Sequence, residues 1–183
     1  MTKLKGAAIL GCLVVAGATL LSSLPASSAT SFLLVSGQRL AKACRGTGAT
    51  EPICKFVANA VDRLAGVDFQ QPVDETVVYK MLRKLRGPVK KQVKQGCCGG
   101  LNRCDACVHA VSNVEAYVAT NGSVHMFSDT LQTACDGRFG DPVVTAECKG
   151  QIDDAIAPII DWFLANYPPV IACQSRALRA CAP

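Results

Sequence analysis

The sequence predicts an all-α fold, a bundle of amphipathic helices locked by disulfides, and three observations support that prediction. Apolar residues recur at three- and four-residue steps along much of the chain. Cysteine is frequent, with 11 in 183 residues, and the alternation expected of strands is weak. A chain of this length holds one ordinary domain, or a small domain with an added segment, which excludes a large multidomain enzyme.

Lys3 and Lys5 open the chain, an apolar run from Ala7 to Leu21 follows, and the small residues Pro25-Ala26-Ser27-Ser28-Ala29 come next. That order reads as a secretory signal peptide, residues 1–29, cut near Ala29. A membrane anchor fits less well, because the run is shorter than the ~20 residues of a spanning helix and is broken by Gly11 and Gly17. Cleavage takes away Cys12 and leaves Cys44, Cys54, Cys97, Cys98, Cys104, Cys107, Cys135, Cys148, Cys173 and Cys181. An even count in an oxidising compartment implies disulfides.

Residues 30–96 read as a basic helical segment. Phe32, Leu33, Leu40 and Ala43 line one face, and Phe56, Val57, Ala60, Val61 and Leu64 line another. A helix from about Pro52 to Ala65 starts on a proline and is closed by Gly66. A second runs from Asp74 to Leu85, with Glu75 near its start and Lys80, Arg83, Lys84 and Arg86 at its end, as the helix dipole favours. Gly87-Pro88 is expected to stop it, and the charged stretch from Lys90 to Gly96 then reads as an exposed linker dividing the chain in two.

Beyond the linker, in residues 97–183, the apolar periodicity sharpens. Val108, Val111, Val114 and Val118 mark the inner stripe of a helix whose outer side carries Asp105, His109, Ser112 and Glu115. Asn121-Gly122 is a break, and Val124, Phe127, Leu131 and Ala134 define a shorter helix ending at Cys135. Asp136 to Pro142 is a glycine-rich loop. Thr145 to Tyr167 carries a broad face of Ile152, Ile156, Ile159, Ile160, Phe163 and Leu164, which Pro158 should kink or split. After Pro168-Pro169 a last helix spans about Val170 to Arg179.

From Cys104 the intervals between cysteines are 2, 27, 12, 24 and 7 residues. Six cysteines permit fifteen connectivities, so spacing alone does not choose among them. Nested bridges Cys104–Cys181 and Cys107–Cys173 would suit an antiparallel pairing of the first and last helices, leaving Cys135 with Cys148 to close the loop. The pattern resembles the saposin-like family (the saposin B-type domain) over about residues 104–181, and that family uses this nested connectivity. Pro169-Val170-Ile171-Ala172-Cys173 looks like the family's approach to its last helix, and the sequon Asn121-Gly122-Ser123 lies where many members carry a glycan, making Asn121 the candidate glycosylation site. The loop between Cys135 and Cys148 and the tail between Cys173 and Cys181 are longer than usual for the family. Cys44, Cys54, Cys97 and Cys98 lie outside the pattern; Cys97 and Cys98 could pair with Cys44 and Cys54, or Cys44 could bridge Cys54. The Cys104-x-x-Cys107 spacing with Cys135 and Cys148 also matches a zinc site, but thiols of a secreted chain oxidise, so no metal is expected.

No catalytic constellation stands out. His109 and His125 are the two histidines, and neither has a nucleophile elbow, a paired carboxylate or a phosphate loop nearby. The resemblance implies a lipid-binding protein without cofactor or enzyme activity, extracellular or in a lysosomal or vacuolar lumen, that binds or extracts membrane lipids when an apolar inner face opens. That face would comprise Val111, Val114, Val118, Ile152, Ile156, Ile159, Ile160 and Phe163, with Trp162 either an interfacial anchor or an ordinary core residue. Two other roles are open within the family: a membrane-permeabilising, pore-forming antimicrobial effector, and a non-catalytic activator acting beside a lipid hydrolase. Homodimers are common in the family, and nucleic acid is not an expected partner.

Charge divides the chain. Residues 30–103 hold 13 Lys and Arg against 5 Asp and Glu, giving +8, and residues 104–183 hold 4 against 9, giving −5. Lytic family members are strongly cationic, whereas this acidic domain resembles sphingolipid activators or acid-activated pore formers, so its membrane binding is expected to strengthen as pH falls. The basic segment reads either as a propeptide that masks the acidic domain and is released near Lys90-Lys91, or as a permanent cationic module.

Overall fold

The computed structural model describes residues 33–94 and 102–182, so Phe32, Cys97 and Cys98 lie outside the described residues, as does the whole of residues 1–29. Among the described residues eight α-helices follow one another: α1 (Gly37–Ala43), α2 (Glu51–Leu64), α3 (Glu75–Leu82), α4 (Arg86–Lys94), α5 (Arg103–Val118), α6 (Asn121–Gln132), α7 (Pro142–Asn166) and α8 (Pro169–Gln174). Two short 3-10 turns, Gly48–Thr50 and Arg83–Leu85, complete the secondary structure, and no strand occurs among the described residues. The chain is all-helical and disulfide-rich.

Local chemistry explains most helix ends. Pro52 sits in the first turn of α2, and Gly66 follows its end with φ of 74°, a left-handed conformation that a side chain disfavours. Asp74 caps α3 by accepting from the Thr76 N–H at 2.6 Å, a bond that also holds its carboxyl below the ordinary aspartate value. Asn102 caps α5 through the Asp105 N–H at 2.9 Å, and Asp141 caps α7 through the Val143 N–H at 2.7 Å. Asn121-Gly122, expected as a break, forms the first turn of α6 behind the N-cap Thr120.

Three elements differ from expectation. Gly87-Pro88 does not end the helical run, and α4 continues through Lys90 to Lys94, the first part of the stretch expected as an exposed linker. Proline is well suited to a first turn, where its missing N–H would have no partner, and Val89 is buried against the rest of the molecule. α7 continues unbroken through Pro158 for 25 residues, because its apolar face is held by packing on α6 and α2. The last helix ends at Gln174 rather than Arg179, since Ser175 is extended. The tail then turns back, so that the N–H groups of Ala180 and Cys181 both donate to the Cys173 carbonyl, at 3.0 and 3.2 Å.

One apolar core runs through both halves of the chain. It contains Leu40, Phe56, Val61, Leu64 and Met81 from the basic segment, together with Val111, Phe127, Ile156 and Phe163 from the acidic one.

Candidate functional site

Four disulfides link the described residues. Cys104–Cys181 and Cys107–Cys173 join α5 to α8 and its tail, with Cα–Cα distances of 4.5 and 6.0 Å. Cys135–Cys148 joins the end of α6 to α7 at 6.0 Å, and Cys44–Cys54 closes the turn between α1 and α2, which decides the alternatives left open for those two residues. The four thiols with zinc-like spacing are therefore all engaged in bridges.

The bridges define two helix pairs. α5 packs along α8, and α6 packs along α7. The second pair is also held by polar contacts: the buried Ser128 hydroxyl donates to Asp153 Oδ1 at 2.6 Å and accepts from Gln132 Nε2 at 2.9 Å. Lys149 pairs with Asp136 at 2.6 Å beside the Cys135–Cys148 bridge. Between the two pairs, α5 meets α6 at their shared corner but scarcely meets α7.

The basic segment makes the connection instead. α2 lies on α7 and α6, α4 lies on α5, and α2 also touches α4. Cys54, Phe56, Val57, Ala58, Ala60, Val61 and Leu64 of α2 are all buried. Phe56 meets Phe163 edge to face with ring centroids 5.2 Å apart, and Phe69 stacks on Trp162 at 5.3 Å. At the far end the Leu34 N–H donates to Gln151 Oε1 at 3.1 Å.

All eight residues assigned to the inner face are buried in this state. Val111, Val118, Ile152 and Ile156 are 0% exposed, and the most accessible of the eight, Ile160, is only 5% exposed. They share one core with the α2 side chains. Trp162 is half-buried between Phe69 and Tyr167, a position neither free at an interface nor wholly internal. His109 and His125 are exposed.

Two features escaped sequence reasoning. The apolar period of α2 shows that its face is covered but carries no information about which helix covers it. Glu115, read as an outer residue, is half-buried with Oε1 enclosed and without a hydrogen-bond partner among the described residues; burial pushes its pKa up to about 7. The sequon's Ser123 is also buried, its hydroxyl 2.7 Å from that of Thr120 at the start of α6.

Among the described residues, no helix is long and apolar enough to cross a membrane. No protein-family model, curated protein or solved structure matches this chain.

Proposed function

We propose that this is a saposin-like lipid-binding protein of the secretory pathway, and that its lipid-binding face is occupied in the present state by its own basic segment. The observation that supports this reading is the burial of all eight inner-face residues in one core with α2, which lies on α7 and α6. Each pair is held together covalently, so α2 can leave without the pairs coming apart. Lipid extraction or binding then consists of exchanging α2 for acyl chains on the same apolar surface.

The exchange is energetically reasonable. Burial of Phe56, Val57, Val61 and Leu64 is worth about 2 kcal/mol each, or roughly 8 kcal/mol together. At ~0.8 kcal/mol per methylene, about ten buried CH₂ groups supply the same stabilisation, which is less than one ordinary acyl chain. The paired-basic site Lys90-Lys91 is exposed on α4, where cleavage would release the masking segment.

Replacing Phe56 with Ala removes the ring packed on Phe163 and weakens docking by ~3–5 kcal/mol. Co-sedimentation of the Phe56→Ala chain with phosphatidylcholine–phosphatidylserine vesicles should rise severalfold over wild type, with the disulfides intact. A folded variant that binds no more lipid than wild type would remove the reading. Release of an encapsulated dye in the same assay would move it toward the membrane-permeabilising role.

A further inference from the structure

A cleft of about 450 Å³ opens on a different surface, between α4, α5 and the C-terminal tail. Arg86 and Lys90 stand one helical turn apart on α4, and Arg103 faces them from the first residue of α5. Val89, Leu178 and Ala180 line the same cleft with apolar surface. Among the described residues no carboxylate lines it, and none of the three cations forms an ion pair. The tail is held there by the Cys104–Cys181 bridge and by a left-handed turn at Arg179, with φ of 48°.

This arrangement concentrates positive charge. Like charges one helical turn apart repel, and among the described residues no carboxylate lines the cleft to offset them. Two guanidinium groups match the paired oxygens of a phosphate, and a third cation balances its remaining charge. A free inorganic anion would fill only part of a cleft whose volume suits a drug-sized molecule and whose floor is apolar.

We infer that this cleft binds the phosphate head of an amphiphile, with Arg86, Lys90 and Arg103 on the phosphate and the first carbons of the tail on Val89, Leu178 and Ala180. The cleft shares no lining residue with the inner face or with α2, but Arg86, Val89 and Lys90 belong to the basic segment, so the site exists only in the uncut chain. In the uncut chain, phosphate recognition is tested on different residues from lipid exchange at the inner face.

Calorimetric titration of the full chain tests the inference, using a short-chain phosphatidic acid kept below its micelle concentration and, separately, inorganic phosphate. The lipid should bind at one site and at least about tenfold more tightly than inorganic phosphate. Arg86→Gln, Lys90→Gln and Arg103→Gln together should weaken lipid binding by at least about tenfold. Arg39→Gln, Lys42→Gln and Arg45→Gln remove the same charge from exposed positions on and just after α1, and should change the affinity by less than about threefold. Ala180→Glu, which adds a carboxylate to the floor and removes no cation, should match the loss seen with the cleft triple variant. Equal losses in the two triple variants, equal affinity for inorganic phosphate and lipid, or no binding by the wild-type chain would each overturn it. Thermal unfolding of every variant, with its disulfides intact, separates loss of the site from loss of the fold.

Discussion

Glu115 ties the fold to pH. Its folded-state pKa of about 7 lies above the ordinary value of 4.5, so the folded protein holds this proton more tightly than the unfolded chain. The stability it contributes is complete below about 4.5 and is lost as pH rises through about 7. Thermal unfolding should therefore show the midpoint falling between pH 5 and pH 8, and Glu115→Gln should flatten that slope; an unchanged slope in the variant would assign the dependence elsewhere. This effect opposes the expected gain of membrane binding in acid, because protonating Glu115 tightens the same fold that hides the inner face. Nothing in the sequence marks Glu115, since it occupies a polar position of α5, and only the neighbours that enclose Oε1 raise its pKa. The inner-face valines and isoleucines were legible, because a repeating apolar stripe reports burial directly.

At the level of helices, periodicity and capping were read well where the signal is local. The ends of α2 and α3 follow from Pro52, Gly66 and Asp74, each acting within a turn of its own position. Asp141 belongs to the same group, and Asp141→Ala should lower stability in urea denaturation by about 1 kcal/mol while leaving vesicle binding unchanged. The misread elements depend on distant partners. α4 is helical through Val89 because α5 packs against it, and α7 passes Pro158 because α6 and α2 hold its face. The tail after Gln174 leaves the helix and bends back to bring Cys181 to Cys104. A proline or glycine read in isolation marks where a helix is weakened, and tertiary contact decides whether it ends.

Across the whole molecule, a shared core joins segments that read as separate in sequence. Residues 30–103 carry +8 and residues 104–183 carry −5. Direct ion pairing contributes little to that union, since among the described residues the only salt bridges are Lys149 with Asp136 and, within α2, Lys55 with Glu51. Apolar burial carries it, through Phe56 on Phe163 and Phe69 on Trp162. The cysteine pattern from Cys104 to Cys181 is confined to the acidic half, so it gives no sign that the core of that half continues into the basic segment. Hydrogen exchange of the full chain, recorded with and without vesicles containing anionic lipid, examines that occupancy directly. The amides of α2 and of the facing part of α7 should lose protection together when lipid binds, while α5, tied to α8 and the tail by two disulfides, keeps its own. Lipid binding with α2 still fully protected would contradict the account.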